Sequence, residues 1–431
     1  LFVTACEAEP KPKPWDPNEP VKLRGAVDNS EFMNQNGNAF IKKYPAVELV
    51  VVETWSVTPR TDEQLLELYK NEIVNNGADI VVMDNPNLFA ALKEQGLLAD
   101  LEPLHAASPI AFDRMMPVVV EQLRQWSGGG LYGLANRFYG SALFYNPELF
   151  DRFGVPLPRD GMSWGDVLEL AKRFPKQPDG QPLYGYSHST LGEWIVMQAQ
   201  SAGLQEVNPE TRQATLKTEA WEQLYRTSVE LVRDGTVFAP LEQKMFSGPN
   251  YWVDVYKSDP FYHGRAAMKA GPLSMIYSFK RMAEFVKDDK PIDWQAVELP
   301  MDDRQNGIAN MTFNELFAIS AQSGHKQAAW ELLRFIHSPE LAREWSKIDD
   351  VGAGLSVFPE EGLKTSGGKP LDAFYKIAGK PAPAGAYLPE RGWQLKGLQK
   401  LLAGETTVEA ALEAMANDVA IELLKQANSK E

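Results

Sequence analysis

The sequence predicts an α/β protein built in two lobes, on three observations. The chain has 431 residues, more than one hydrophobic core of usual size accommodates. Its first hundred residues alternate strand and helix patterns. Within them Ala78–Met83, ADIVVM, is an apolar run without alternation, the signature of a parallel strand covered on both faces. Hydrophobic residues make up 44% and charged residues 23%, ordinary for a globular chain. No run of eighteen apolar residues offers a transmembrane helix. A net charge of −15 argues against a nucleic-acid partner, since phosphate neutralisation needs a basic face.

Residues 1–20 stand apart. Val3-Thr4-Ala5-Cys6 resembles the lipobox of bacterial lipoproteins, in which the cysteine becomes the lipidated first residue of the mature chain. Leu1–Ala5 are then the remnant of a signal peptide, and Cys6 anchors the protein to the extracytoplasmic face of the cell membrane. Glu7–Pro20 carries five prolines with charges of both signs and reads as an extended tether of about 40 Å. With a single cysteine, no disulfide forms within the chain.

The first lobe opens with a strand at Val21–Val27, followed by a helix through Phe40 and Ile41, and continues with a strand at Val47–Val52. A helix capped by Asp62 presents Leu65, Leu68, Tyr69 and Ile73 on one face and stops at Gly77; the strand Ala78–Met83 follows. In open parallel sheets ligands bind beyond the carboxyl ends of the strands, which places Asp28, Asn29, Trp55, Asp84 and Asn85 at a site. For Asp28 and Asp84, capping of the next helix is the competing role.

The stretch Gly128–Phe174 organises the middle of the chain. Two short apolar strands, Leu131–Leu134 and Ser141–Tyr145, flank Asn136, Arg137, Phe138 and Tyr139, which pair hydrogen-bonding groups with flat apolar faces. Asn146 as N-cap and Pro147 at the first helical position predict a helix through Phe153, closed by Gly154; Ser163 caps a second, ended by Pro175. Gly128, Gly130 and Gly133 match a dinucleotide-loop pattern, but they precede a strand where the phosphate loop would follow one, so a turn is expected. Further on, His188, Tyr251 and Trp252 are polar and aromatic candidates for a site, whereas Trp194 and Trp221 lie at helical spacing and read as core.

The run YGL…FYNPELFDRFGVPLP…SWGDVLELAKRF resembles the crossover segment of the bacterial extracellular solute-binding proteins, the maltose-binding-protein-like sugar-binding group that serves ABC importers. Phe261–Pro272, Phe317–Trp345 and Gly404–Leu412 extend the resemblance in the same order. It implies a two-lobed periplasmic-binding-protein-like fold of type II, hinged by three crossings near Asn136, Asn310 and Gly354. Lobe 1 is then 21–135 plus 311–354, and lobe 2 is 136–310 plus 355–431. Asn314 and Glu315 fall beside a crossing, and Arg391 and Trp393 in a loop facing the ligand before terminal helices at Leu395–Leu402 and Thr407–Lys425. Leu273 stands where maltose-binding members carry a stacking tryptophan, which argues against maltodextrins.

Enzyme signatures are missing. Five histidines show no HExxH or i,i+4 pairing, and no GxSxG elbow or Walker loop occurs. The expectation is a monomeric, non-enzymatic binding protein without metal or cofactor. It takes a mono- or oligosaccharide and delivers it to ABC permease subunits; a peptide, a quaternary amine, or a hydrolase on the same scaffold are the alternatives.

Overall fold

A computed structural model describes residues 15–27, 36–54, 61–208, 211–286, 292–313, 315–348, 351–383 and 392–428. From the amino end run β1 (Val21–Val27), α1 (Asn38–Lys43), β2 (Val47–Glu53), α2 (Asp62–Val74), β3 (Ile80–Met83), α3 (Pro86–Glu94), α4 (Glu102–Ala107), α5 (Pro117–Trp126) and β4 (Arg137–Tyr145). Then come α6 (Pro147–Phe153), α7 (Trp164–Ala171), β5 (Tyr184–Ser187), α8 (Leu191–Ser201), α9 (Glu219–Arg233), β6 (Val237–Phe238), α10 (Tyr251–Ser258), β7 (Ala266–Pro272) and α11 (Ser274–Phe285). The remainder holds β8 (Gln295–Glu298), β9 (Met311–Thr312), β10 (Leu316–Ile319), α12 (Lys326–Ile336), α13 (Pro339–Trp345), β11 (Leu355–Ser356), a small hairpin of β12 (Thr365–Ser366) and β13 (Lys369–Pro370), α14 (Asp372–Tyr375), α15 (Gly392–Ala403) and α16 (Val408–Asn428).

The chain divides into two compact units. Unit 1 takes in the described residues up to Phe138 with Phe313–Ile348 and Ser356–Gly362; unit 2 holds Tyr139–Thr312, Asp349–Leu355 and Leu363 onward. Unit 1 is organised on a four-stranded sheet in the order β10-β3-β1-β2. β1 is parallel to β2 and β3, and β10 returns antiparallel to β3, Leu316 opposite Met83. All four residues of β3 are buried, as its unalternating apolar sequence requires. In unit 2, β4, β7, β5 and β6 follow in that order, with β8 and β9 also paired to β4. β5 is parallel to β6 and β7, while β4 runs antiparallel to β7. Trp164, Tyr186, Trp194, Trp221 and Tyr225 fill the core between this sheet and helices α7, α8, α9, α15 and α16.

Local signals set several boundaries. Asn146 Oδ1 accepts from the Glu148 N–H at 3.1 Å and Pro147 opens α6. Gly154 closes it in the left-handed region at φ 62°. Ser163 and Asp166 form a capping box on α7. Three expectations are corrected. Thr61, not Asp62, caps α2, because its hydroxyl and the Gln64 amide complete a reciprocal box and Asp62 becomes the first helical residue. Leu131–Leu134 forms no strand: Leu131 and Leu134 are buried, and Leu134 alone bridges to Phe317. β4 begins at Arg137, so Arg137, Phe138 and Tyr139 belong to the strand rather than to a loop before it. Gly133 is the glycine of the Gly-rich pattern that packing demands, since a Cβ there would lie 2.6 Å from the Phe89 ring.

Candidate functional site

In unit 1 the strand ends that carry the predicted contacts are tied by a buried hydrogen-bond network. Tyr69 of α2 donates its hydroxyl to the Val82 carbonyl at 2.7 Å and lies 3.0 Å from Thr54 Oγ1. Thr54 donates both its hydroxyl and its amide to the Val27 carbonyl, at 2.5 and 2.6 Å. Val27, Thr54 and Val82 thus fix together the carboxyl ends of β1, β2 and β3. The sequence showed Tyr69 only as one member of an apolar helix face; its phenol head is what closes this network.

Asp84 follows β3 and is exposed. Asn85 is the N-cap of α3: its Oδ1 accepts from the Asn87 and Leu88 amides at 2.8 and 3.2 Å, and its Nδ2 donates to Asp62 at 3.0 Å. Asn85, a candidate solute contact, thus serves as the cap of α3, with its side-chain oxygen and amide both engaged. Arg137 lays its guanidinium 5.0 Å above the Trp345 ring. Glu315 is buried. Cys6, Asp28, Asn29, Trp55, Asn314 and Arg391 lie outside the described residues.

In unit 2, Tyr139 donates its hydroxyl to the Gly352 carbonyl at 2.6 Å, joining the start of β4 to the turn at Val351–Ala353. His188 follows the carboxyl end of β5 and is buried, its Nδ1 3.2 Å from the Thr190 carbonyl. That neighbour can only accept, so Nδ1 carries the proton. Burial, reinforced by the Lys269 ammonium, pulls its pKa down to about 3, so the ring is neutral. Lys269 of β7 is itself buried and pairs with Asp259 at 2.8 Å. It stands opposite Ser187, whose fully buried hydroxyl has no partner among the described residues. His188 and Trp393, both candidates for ligand contact, are packed residues of unit 2. Trp393 lies in the first turn of α15 and is only 9% exposed within the unit 2 core, because α15 begins before it and turns the ring inward.

Of the unit 2 candidates, an aromatic pair stays accessible. Trp252 of α10 meets Tyr251 edge-on at 4.9 Å and Tyr277 of α11 at 5.9 Å. Tyr251 and Tyr277 are 39% and 46% exposed. Tyr277 escaped the sequence reading, since only the packing of α11 beside α10 places it there.

A family model for bacterial extracellular solute-binding proteins matches residues 56–362. A search of curated protein sequences returns no match. Among solved structures, the chain is similar to the sugar-binding protein MalE of Xanthomonas citri at TM-score 0.68 and 16% identity, covering 94% of this chain and 98% of that one. A sugar transporter of Rhizobium etli in an open conformation gives 0.67 and 18%, covering 93% and 99%. The maltose/maltodextrin-binding domain MalE of Bdellovibrio bacteriovorus, bound to maltotriose, gives 0.56 and 16%, covering 94% and 100%. At these identities the likeness is one of fold.

Proposed function

The chain belongs to the bacterial extracellular solute-binding proteins, and from that membership we propose that it captures a neutral mono- or oligosaccharide and hands it to the permease subunits of an ABC importer. The observation that carries the sugar class is the exposed cluster of Tyr251, Trp252 and Tyr277. Pyranose rings have one apolar face that stacks on aromatic rings, while their hydroxyl pairs are held by carboxylates, amides and Arg. In this reading Asp84, beyond the carboxyl end of β3, offers a carboxylate to sugar hydroxyls, and the ring cluster of unit 2 offers a stacking surface for a pyranose face. Cys6 carries the lipid anchor, and the proline-rich segment after it holds the body off the membrane.

A thermal-shift screen across neutral sugars tests the solute class. A ligand at a hundred times its dissociation constant stabilises by about 2.7 kcal/mol, which moves the midpoint of a chain this size by about 2–4 °C. Peptides or quaternary amines that shift the midpoint where no sugar does would sink the sugar class and leave the family intact.

A further inference from the structure

We infer that Asn76 is a site of spontaneous covalent modification, its side-chain amide passing through a succinimide with the Gly77 nitrogen to aspartate and isoaspartate. Asn–Gly pairs favour this chemistry because glycine has no side chain to hinder its backbone nitrogen as it attacks the preceding amide. Three such pairs occur in the sequence, Asn36-Gly37, Asn76-Gly77 and Asn306-Gly307. Their surroundings in the fold separate them.

Asn76 and Gly77 are both exposed, just beyond the end of α2. Gly77 lies in the left-handed region at φ 68°, and apart from its chain neighbours no atom comes within 4 Å of where a Cβ would stand. Its N–H has no hydrogen-bond partner among the described residues. The Asn76 amide has one contact, from Nδ2 to Glu72 at 2.8 Å. The nucleophile is therefore free and the closing ring has room. The other two pairs are blocked. Asn306 is held at both ends of its amide, Nδ2 donating to Asp303 at 2.9 Å and Oδ1 accepting from Lys380 at 2.8 Å. The Gly307 N–H donates to the Asp303 carbonyl at 2.7 Å, and a Cβ on Gly307 would meet the Asp303 and Ser201 carbonyl oxygens at 2.5 Å. Asn36 is only 1% exposed, which shields it from hydroxide and water.

At Asn76, hydroxide takes the Gly77 amide proton, the nitrogen bonds to Cγ, and the bond from Cγ to the side-chain nitrogen breaks, releasing ammonia once that nitrogen has drawn a proton from water. Water then opens the succinimide, at Cγ to leave aspartate or at the main-chain carbonyl to leave isoaspartate. Either product sets a carboxylate four residues from Glu72 in place of an amide donor, and like charges at that spacing on a helix repel. The helix affected is the one that carries Tyr69, whose hydroxyl holds the Val82 carbonyl.

Peptide mapping by mass spectrometry after prolonged incubation of the full chain at neutral pH tests the assignment. The peptide spanning Asn76-Gly77 should gain the mass of an amide-to-acid exchange, as two chromatographic isomers, at least tenfold faster than the peptides spanning Asn36 and Asn306. In urea the three rates should converge, because the fold no longer protects two of them. Asn76→Gln, which keeps an amide near Glu72, should abolish the fast conversion with the thermal midpoint near wild type, whereas Asn76→Asp should lower that midpoint. Conversion of Asn36 or Asn306 as fast as Asn76 in the folded chain would overturn the inference, as would an unmodified Asn76 over the time in which the urea-unfolded chain converts. A midpoint unchanged in Asn76→Asp would overturn the effect on α2.

Discussion

Tyr69 and Val82 are joined by a 2.7 Å hydrogen bond that fastens a helix of unit 1 to the end of strand β3, just before Asp84. Because Thr54 Oγ1 lies 3.0 Å from the same hydroxyl, one phenol positions two strand ends. Tyr69→Phe removes the hydroxyl and leaves the buried Val82 carbonyl without that donor, a loss of about 1–3 kcal/mol. Chemical denaturation should show that loss, and solute affinity should fall with it. An unchanged denaturation midpoint would mean that the network does not hold the strand ends.

Asp84 and Trp252 are the contacts whose loss should leave the fold intact. Asp84 is exposed, and Trp252 belongs to a partly exposed cluster. A lost hydrogen bond to a charged group costs about 1.5–3 kcal/mol and a lost aromatic contact about 0.5–1.5 beyond its area. Asp84→Ala should therefore weaken sugar binding about tenfold, and Trp252→Ala severalfold, with thermal midpoints near wild type. Calorimetric titration with the sugar found in the screen reads both.

Trp393 leads to the reverse expectation. Its ring is buried in one core with Leu398, Leu401, Trp194 and Trp221, so Trp393→Ala opens a cavity and should cost about 3–5 kcal/mol of stability. A midpoint that stays put while affinity falls would restore the exposed stacking role its place in the sequence suggested.

These contrasts show what was legible in the sequence. Caps are local: Asn146, Pro147 and Gly154 act on neighbours within one turn, and α6 follows from them alone. The buried run of β3 was readable because a doubly covered strand has no alternation to preserve. Leu131–Leu134 misled because burial makes an apolar segment whether or not it pairs, and here only Leu134 finds a partner strand. The orientation of Trp393 depends on α16 and on helices far back in the chain, which no window of neighbours contains. The opposition of Ser187 to Lys269 is likewise a matter of register between distant strands. Site residues at strand ends could be proposed from topology, but whether each one is free or already acting as a cap was a question of packing.

Acid should destabilise the protein through its buried histidines. Burial holds His188 down to about 3 and His337 to about 4, against 6.5 unfolded. The unfolded chain therefore binds protons first as pH falls. The stability due to the neutral rings is complete above pH 6.5 and is lost progressively from there toward pH 3–4. His337→Phe keeps a ring beside Phe317 without the titration, and should flatten the fall in denaturation midpoint between pH 6.5 and 4. Identical slopes for the two proteins would assign the acid sensitivity to other groups.

The last prediction concerns Lys269 and Asp259, a buried ammonium and a half-buried carboxylate 2.8 Å apart. Taking charges from water is costly, and each partner here offsets the other's cost, so removing one is far worse than removing both. Asp259→Asn should cost about 3–5 kcal/mol, because the ammonium is left buried beside the neutral His188. Lys269→Met alone strands the carboxylate, though less severely, since the Asp259 side chain is 16% exposed and also accepts the Phe261 N–H at 3.0 Å. The double substitution should recover most of the loss, as a thioether of similar length fills the space without a charge. Denaturant midpoints of the four proteins form a double-mutant cycle. A coupling energy near zero would mean that the two charges are stabilised by other groups rather than by each other.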